Sequence, residues 1–218
     1  MAPNADMPNK AAQFDSFSLA NMVPQAPKNN QQVWRELEEA TRALVTKQKL
    51  DVFVVTGPVF QGKKLKTIGQ GVIVPSAVYK AVYMPKTGAI GAYYAPNDNS
   101  QQVRIVSVCY LEEQLGVNLF PQLTEEQKRN TYKLPLTATA VKANSAIQYS
   151  HWDAESQCAE EVSSEQLKAL QKNFKSGSTQ SSSGSTVKTG TGIDAADQDA
   201  IVKQLVDALL QYILQLLR

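Results

Sequence analysis

The stretch 18–44, SLANMVPQAPKNNQQVWRELEEATRAL, constrains the fold of this chain more than any other segment. Pro24 and Pro27 disfavour helical backbone before about Lys28, because a proline restricts the residue that precedes it. Beyond that point, side chains suited to a protein core recur at helical spacing: Trp34, Leu37, Thr41, Leu44 and Val45. The segment therefore predicts a polar turn followed by a helix that runs to about Lys49, with these side chains facing the core.

A second set of residues on this helix has the spacing of a functional site. Four residues recur at intervals of four and so stack along one side of the helix: Asn30, Trp34, Glu38 and Arg42. An asparagine at the helix entrance, with a carboxylate and a guanidinium on later turns, can address a hydrated metal ion and a phosphate together. Each residue also has an ordinary interpretation. Asn30 alone would be assigned as a helix N-cap, and Glu38 with Arg42 as an exposed ion pair worth about 0.3–0.5 kcal/mol.

These residues stand in a longer pattern that resembles the DNA/RNA non-specific endonucleases, the ββα-metal nucleases of the His-Me finger kind. The resemblance is carried first by NMVPQ at 21–25 and by NQQVWRELEEATR at 30–42. It continues over residues 1 to about 136, through TGP at 56–58, VPSAVYKAVY at 74–83 and SVCYLEEQLGVNLFPQL at 107–123. A match of this length at fixed spacing is far more specific than a short motif.

The resemblance implies sequence-independent hydrolysis of phosphodiester bonds in DNA and RNA. It assigns Asn30 as a protein ligand to Mg²⁺, with Mn²⁺ as an alternative ion, and Glu38 as a catalytic residue that orients metal-bound water. By the same resemblance, Arg42 would reach a substrate phosphate. Asn21 matches a catalytic-site asparagine near the same cleft, although an asparagine in a turn equally often bonds its own backbone.

The general base of this family is the histidine of an Asp-Arg-Gly-His quartet, and the residues after it resemble 1–5, MAPNA. We therefore expect this sequence to start directly after the catalytic histidine, as an N-terminally incomplete nuclease that is inactive by itself. His151 is its single histidine, and its position beside a tryptophan in an irregular segment indicates a structural role. The alternative is a catalytically dead remnant of the fold that serves in assembly or binding through its C-terminal helix.

The fold implied by the resemblance is α+β, with a central antiparallel sheet flanked by helices. Residues 51–60 are predicted to form a buried strand because they are rich in β-branched side chains. Further strands are predicted at 71–76, 77–84, 89–94, 103–108 and 146–149. Ser107 is predicted to cap a short helix at 108–115, and Thr124 with Gln127 to form a capping box.

Composition predicts a Ser/Thr/Gly-rich flexible linker at 175–192, which separates an amphipathic C-terminal helix at 193–218 from residues 1–174. The resemblance implies that residues 1–174 are the nuclease domain. The apolar surface of that helix is expected to be buried in its own domain, in a second copy or, with least support, at a membrane surface. Its near-heptad spacing favours self-association. No run of apolar residues is long enough and free enough of charge to predict a membrane span.

Charge and cysteine content restrict the interpretation only weakly. A formal net charge of +2 permits an anionic substrate without requiring one, and 43% apolar residues suffice for a core. Cys109 and Cys158 fit either one disulfide or two free thiols. The family resemblance implies a secreted or periplasmic full-length protein, while no secretory signal is found in this sequence.

Overall fold

The computed structural model of the chain describes residues 1–18, 21–62 and 64–160. Within these ranges no helix is long and apolar enough to cross a membrane. The predicted linker at 175–192 and the predicted C-terminal helix at 193–218 lie outside the described residues, as do 161–174 of the predicted nuclease domain. Self-association through that helix therefore stays a prediction.

Along the described chain, six consecutive strands follow the first two α-helices, and two further α-helices precede the last two strands. The strands are β1 (Phe53–Val59), β2 (Thr67–Ile68), β3 (Val72–Ile73), β4 (Ala77–Met84), β5 (Ala89–Pro96), β6 (Arg104–Val106), β7 (Asn130–Tyr132) and β8 (Tyr149–Trp152). The α-helices are α1 (Lys10–Asp15), α2 (Arg35–Gln48), α3 (Val108–Leu115) and α4 (Glu125–Arg129). An antiparallel sheet of four strands, in the order β1-β4-β5-β6, forms the centre, and β2-β3 and β7-β8 form two small antiparallel pairs. The predicted α+β class is confirmed.

The central sheet is covered on both faces, because successive side chains of its middle strands belong to different hydrophobic clusters. Val78 and Val82 of β4 share one cluster with Leu37 of α2. Ala81, which points to the opposite side, shares the other cluster with Leu111 of α3. This alternation follows the two-residue period of a strand. The sheet thereby separates α2 from α3 and gives the helix with the predicted site residues a rigid support.

Residues 29–48, which we call the long helix, begin as a π-helical segment, Asn29–Trp34, and continue as α2. Lys49 ends the helix in a left-handed conformation with φ 56°. Both predicted ends are confirmed. The expectation that Val45 faces the core is wrong, because its side chain is 45% exposed while Ala40 and Leu44 complete the buried stripe. π-Helical turns, with hydrogen bonds from residue i to i+5, occur frequently at functional sites.

Local sequence signals place two of the helices correctly. Ser107 caps α3 by accepting a hydrogen bond from the Tyr110 N–H at 2.8 Å, and Gly116 closes the helix with φ 65°. The predicted capping box of Thr124 and Gln127 begins α4. In each case the cap residue itself satisfies amide groups that the first helical turn leaves unpaired.

Three strand predictions need correction. Residues 51–60 were expected to be buried, yet Phe53 is 58% exposed because β1 lies at the edge of the sheet. The strand expected at 71–76 shortens to β3, since Pro75 cannot donate to a ladder. The strand expected at 146–149 lies instead at Tyr149–Trp152, where it pairs with β7 and includes His151.

A disulfide and a hydrogen bond fix the end of the described chain to α3. Cys109 and Cys158, whose pairing the sequence left open, form a disulfide. Glu112, fully buried in α3, lies 3.1 Å from the ammonium of Lys128 and accepts a hydrogen bond from the Ala159 N–H at 3.2 Å. A buried carboxylate with these partners is satisfied, so this cluster is structural.

Asp153 ties the segment after β8 to the start of α3 and should make stability depend on pH. Burial alone would raise the pKa of Asp153, but hydrogen bonds from the Ser107 hydroxyl and from the Ser156 and Glu155 amides lower it to about 2. The stabilisation by Asp153 is therefore complete above its unfolded pKa of about 4 and is lost as the pH falls towards the folded value.

We expect the urea midpoint of the wild-type chain to fall between about pH 4 and pH 2, and to fall less in Asp153→Asn. The exposed Asp51→Asn variant is the control and should keep the wild-type dependence. Equal slopes for wild type and Asp153→Asn would contradict the prediction.

Candidate active site

Two asparagines anchor the entrance of the long helix to the end of β5. Asn29 is 1% exposed; its Nδ2 donates to the Pro96 carbonyl at 2.6 Å, and its Oδ1 accepts from the Gln25 amide at 3.0 Å. Asn97 follows β5 and accepts a hydrogen bond from the Ala26 N–H at 2.8 Å through its Oδ1. These contacts fix the backbone at the position where the predicted metal ligand stands.

Asn30, the predicted metal ligand, lies directly beside the buried Asn29 but is exposed. Its backbone N–H donates to the Ala26 carbonyl at 2.9 Å, and its side chain forms no hydrogen bond with any part of the chain that the structure describes. The interpretation of Asn30 as an N-cap is wrong, because it lies inside the π-helical segment, after the cap position at Lys28. Its amide oxygen is therefore available to a ligand.

Glu38 lies two helical turns further on and is partly buried. Burial raises the pKa of its carboxyl group, while the positive charge of Lys80 opposes that increase. Lys80 comes from the middle of β4 and is 2% exposed, with its Nζ 5.3 Å from the centre of the Trp34 ring. Trp34 itself is buried, as its place in the pattern predicted.

The side chain of Arg42 pairs with a residue of the N-terminal segment and not with a neighbour on its own helix. Its Nε lies 2.5 Å from Oδ1 of Asp6. Within the described residues, Glu38 and Arg42 do not form an ion pair within 4.0 Å, so the interpretation of these two residues as an i,i+4 pair is wrong. The side chain of Arg42 is about one-third exposed, which leaves it accessible from solvent beside the helix.

Asn21 holds the N-terminal residues against the turn that precedes the long helix. Its Nδ2 donates to the carbonyls of Ala2 at 2.9 Å and Ser16 at 2.8 Å, and its Oδ1 accepts from the nitrogens of Ala2 and Met1, both at 2.6 Å. Backbone groups therefore occupy the whole amide of Asn21. The geometry gives Asn21 a positioning role for residues 1–2. The turn interpretation, in which Asn21 bonds its own backbone, is wrong, because its side-chain partners are Met1, Ala2 and Ser16.

The donor set suits a hydrated ion better than a fully enclosed one. Within the described ranges, no three His, Cys, Asp or Glu side chains lie close enough together to hold a metal ion by themselves. Mg²⁺ usually keeps several waters and takes only one or two protein ligands. An exposed, unbonded asparagine followed by a partly buried carboxylate fits that requirement. His151 lies elsewhere, exposed in β8 beside the hydroxyl of Ser150 at 3.1 Å.

The sequence pattern missed three residues that shape this site: Asp6, Lys80 and Asn97. A signal for Lys80 existed, since it is the single charged residue of the strand AVYKAVYM, and lysine is almost never fully buried without a reason. Asp6 ends a short 3-10 helix, Asn4–Asp6, and Asn97 lies in the bend after β5, so both are far from the long helix in sequence. Only the tertiary structure connects Asp6 and Asn97 with the long helix.

Comparison with known proteins identifies the same family that the sequence pattern resembles, and the match covers most of the described chain. The family model for DNA/RNA non-specific endonucleases matches residues 1–126. Nuclease EXOG, mitochondrial, from Danio rerio is 36% identical over 148 residues, which cover 58% of this chain and 43% of that protein. Endonuclease G, mitochondrial, from Homo sapiens is 34% identical over 102 residues, covering 41% of this chain and 34% of that protein. A nuclease from Nostoc is 31% identical over 141 residues, covering 57% and 50%.

This chain therefore spans half or less of the length of these relatives. Among solved structures, it is similar to a chain in a crystal structure of the EndoG/EndoGI complex, with a TM-score of 0.51 and 24% identity. The matched region covers 59% of this chain and 60% of that chain. The likeness shows that the described residues have the ββα-metal nuclease fold.

Proposed function

Because the chain belongs to the DNA/RNA non-specific endonuclease family, we propose that it provides the metal-binding part of a Mg²⁺-dependent nuclease that cleaves phosphodiester bonds of DNA and RNA. The observation that carries this proposal is the contrast between two adjacent asparagines. Asn29 is buried and bonded into the fold, whereas Asn30 is exposed with an unoccupied amide. Hydrogen bonds of Asn29 fix the backbone here, while the neighbouring side chain of Asn30 forms none with the described residues. This arrangement is suited to ligand binding.

Each residue of the site has a distinct proposed task. Asn30 would hold Mg²⁺ through its amide oxygen, and the bound ion would supply Lewis-acid stabilisation of charge on the phosphate. Glu38, when ionised, accepts hydrogen bonds from water in the site and so orients it. Arg42 donates to a phosphate oxygen, for which its planar guanidinium is well matched. Contacts of this kind involve only the nucleic-acid backbone, so they distinguish no base sequence.

The proposed reaction also needs a general base, and Asn30, Glu38 and Arg42 do not supply one. His151 is the single histidine of the sequence, and it lies in β8, paired opposite Thr131. Glu38 lies on the long helix, where the charged groups that act on its carboxyl group are Lys80, Asp6, Arg42 and the amino group of Met1. We therefore propose that the base comes from a histidine outside these 218 residues.

Metal binding can be tested on the 218-residue chain itself, without any cleavage assay. We expect Mn²⁺ titration, followed by electron paramagnetic resonance, to reveal one site that is lost in Asn30→Ala. Gln31→Ala is the matched control, because Gln31 is the exposed neighbour in the same π-helical segment. Equal Mn²⁺ binding by wild type and Asn30→Ala would contradict the assignment.

A further inference from the structure

The ion pair between Asp6 and Arg42 joins the N-terminal segment to the candidate site, and stability does not explain it. Nε of Arg42 lies 2.5 Å from Oδ1 of Asp6, and the two side chains are 33% and 40% exposed. An ion pair this open to solvent contributes little to stability, because water and salt screen it. The pair therefore needs an explanation other than stability.

The backbone of Asp6 is constrained on both sides. Asp6 ends the short 3-10 helix, where its N–H donates to the Pro3 carbonyl at 3.1 Å. The N–H of Met7 donates to the Asn4 carbonyl at 3.2 Å. Pro3 and Pro8 restrict the chain before and after this turn. The carboxylate that meets Arg42 thus extends from a backbone with little freedom.

The contact uses one nitrogen of the guanidinium and leaves the other two free. Asp6 accepts its hydrogen bond from Nε. The two terminal nitrogens of Arg42 form no hydrogen bond with any part of the chain that the structure describes. These nitrogens carry most of the N–H donors of the group, and they can donate together to one phosphate in the bidentate geometry that arginine favours.

A competing carboxylate stands on the same helix as Arg42. Glu38 lies one helical turn before Arg42, at the spacing where a glutamate and an arginine attract each other. Within the described residues, no ion pair within 4.0 Å joins these two side chains. Arg42 is engaged by Asp6 instead, which leaves the carboxyl group of Glu38 free for its proposed task of orienting water.

We propose, on the basis of the nuclease function proposed above, that Asp6 is a positioning residue for phosphate binding. Its carboxylate holds Nε of Arg42, so that the terminal nitrogens stay available to a nucleic-acid phosphate and do not pair with Glu38. A free arginine loses much rotamer freedom when it binds, and an arginine already held by Asp6 loses less. If the carboxylate of Asp6 mainly repelled the phosphate, its removal would strengthen binding.

Binding of a fluorescein-labelled DNA duplex to the 218-residue chain, followed by fluorescence anisotropy in the presence of EDTA, distinguishes these two effects without cleavage. We expect Asp6→Ala to weaken binding by about 2-fold to 10-fold, the cost of immobilising one side chain. Asp6→Asn keeps an oxygen that accepts from Nε and should retain most of the wild-type affinity. Asp15→Ala, which removes another exposed carboxylate of the N-terminal segment, is the matched control and should not weaken binding.

The effect of Asp6 should act through Arg42. In an Arg42→Gln background, which binds DNA more weakly than the wild type, Asp6→Ala should cause no further loss of affinity. The melting temperature should stay near the wild-type value in each variant of Asp6, because the ion pair is exposed. Unchanged or tighter DNA binding by Asp6→Ala, or an equal loss in the Arg42→Gln background, would overturn the proposal.

A second measurement separates this proposal from the nuclease assignment. Exchange of the Arg42 Nε–H with water can be measured by NMR, with the signal assigned from Arg42→Lys. We expect slow exchange in wild type and Asp6→Asn and faster exchange in Asp6→Ala, and equal rates in wild type and Asp6→Ala would overturn the role of Asp6. A wild-type chain that binds no DNA, or binds it no better than Arg42→Gln, would overturn the nuclease assignment of Arg42, while the exchange rates would still decide whether Asp6 holds it.

Discussion

Replacing Asn30 with alanine is expected to reduce Mg²⁺-dependent cleavage by on the order of 10³-fold in a chain completed upstream with an Asp-Arg-Gly-His segment. The physical reason is the loss of the proposed protein ligand, and with it the ion that offsets charge on the phosphate. The melting temperature should be nearly unchanged, because the side chain of Asn30 is exposed and bonded to none of the described residues. Plasmid and RNA cleavage, measured beside thermal unfolding, checks both parts.

The adjacent residue provides the matched control. Asn29→Ala removes two hydrogen bonds of a side chain that is 1% exposed, and leaves the Pro96 carbonyl without this donor. We expect the free energy of unfolding to fall by about 1–3 kcal/mol. The two variants should therefore differ in stability: Asn30→Ala keeps the wild-type melting temperature, whereas Asn29→Ala lowers it. An Asn30→Ala enzyme that keeps most of its turnover would show that the metal ligand lies elsewhere.

The 218-residue polypeptide by itself should show negligible cleavage of plasmid DNA or RNA. A general base contributes roughly 10²–10⁴-fold to such reactions, and the single histidine of the sequence lies in β8, whereas Glu38 lies on the long helix. Addition of an upstream segment that ends in Asp-Arg-Gly-His should restore Mg²⁺-dependent cleavage of both nucleic acids. Gel assays with and without chelator measure this directly.

Two variants serve as controls for this experiment. Alanine in place of the added histidine should abolish the recovered activity, whereas His151→Ala should leave it unchanged, because His151 is exposed beside Ser150. Robust metal-dependent cutting by the 218-residue form, lost in His151→Ala, would identify His151 as the base. Failure of the completed chain to cleave any nucleic acid would favour the alternative of a remnant fold that serves in assembly or binding.

Local chemistry determined several features of this protein from sequence alone. The bounds of β4, the serine cap of α3 and the capping box of α4 agree with the prediction. These signals are reliable because the interactions that define them join residues close together in the chain. The spacing of the long helix likewise placed Trp34 in the core. The long, fixed-spacing resemblance supplied the family and its fold.

Only the tertiary structure decided how the site is arranged, because its defining contacts join residues far apart in sequence. Helical spacing alone cannot show that Asn29 is buried against the end of β5 while Asn30 stays exposed. Nor can it show that Arg42 pairs with Asp6. The position of Lys80 against the long helix depends on how the central sheet packs on that helix. Charge at the site is thus set by packing, since burial and the neighbouring charges together determine whether each group is ionised.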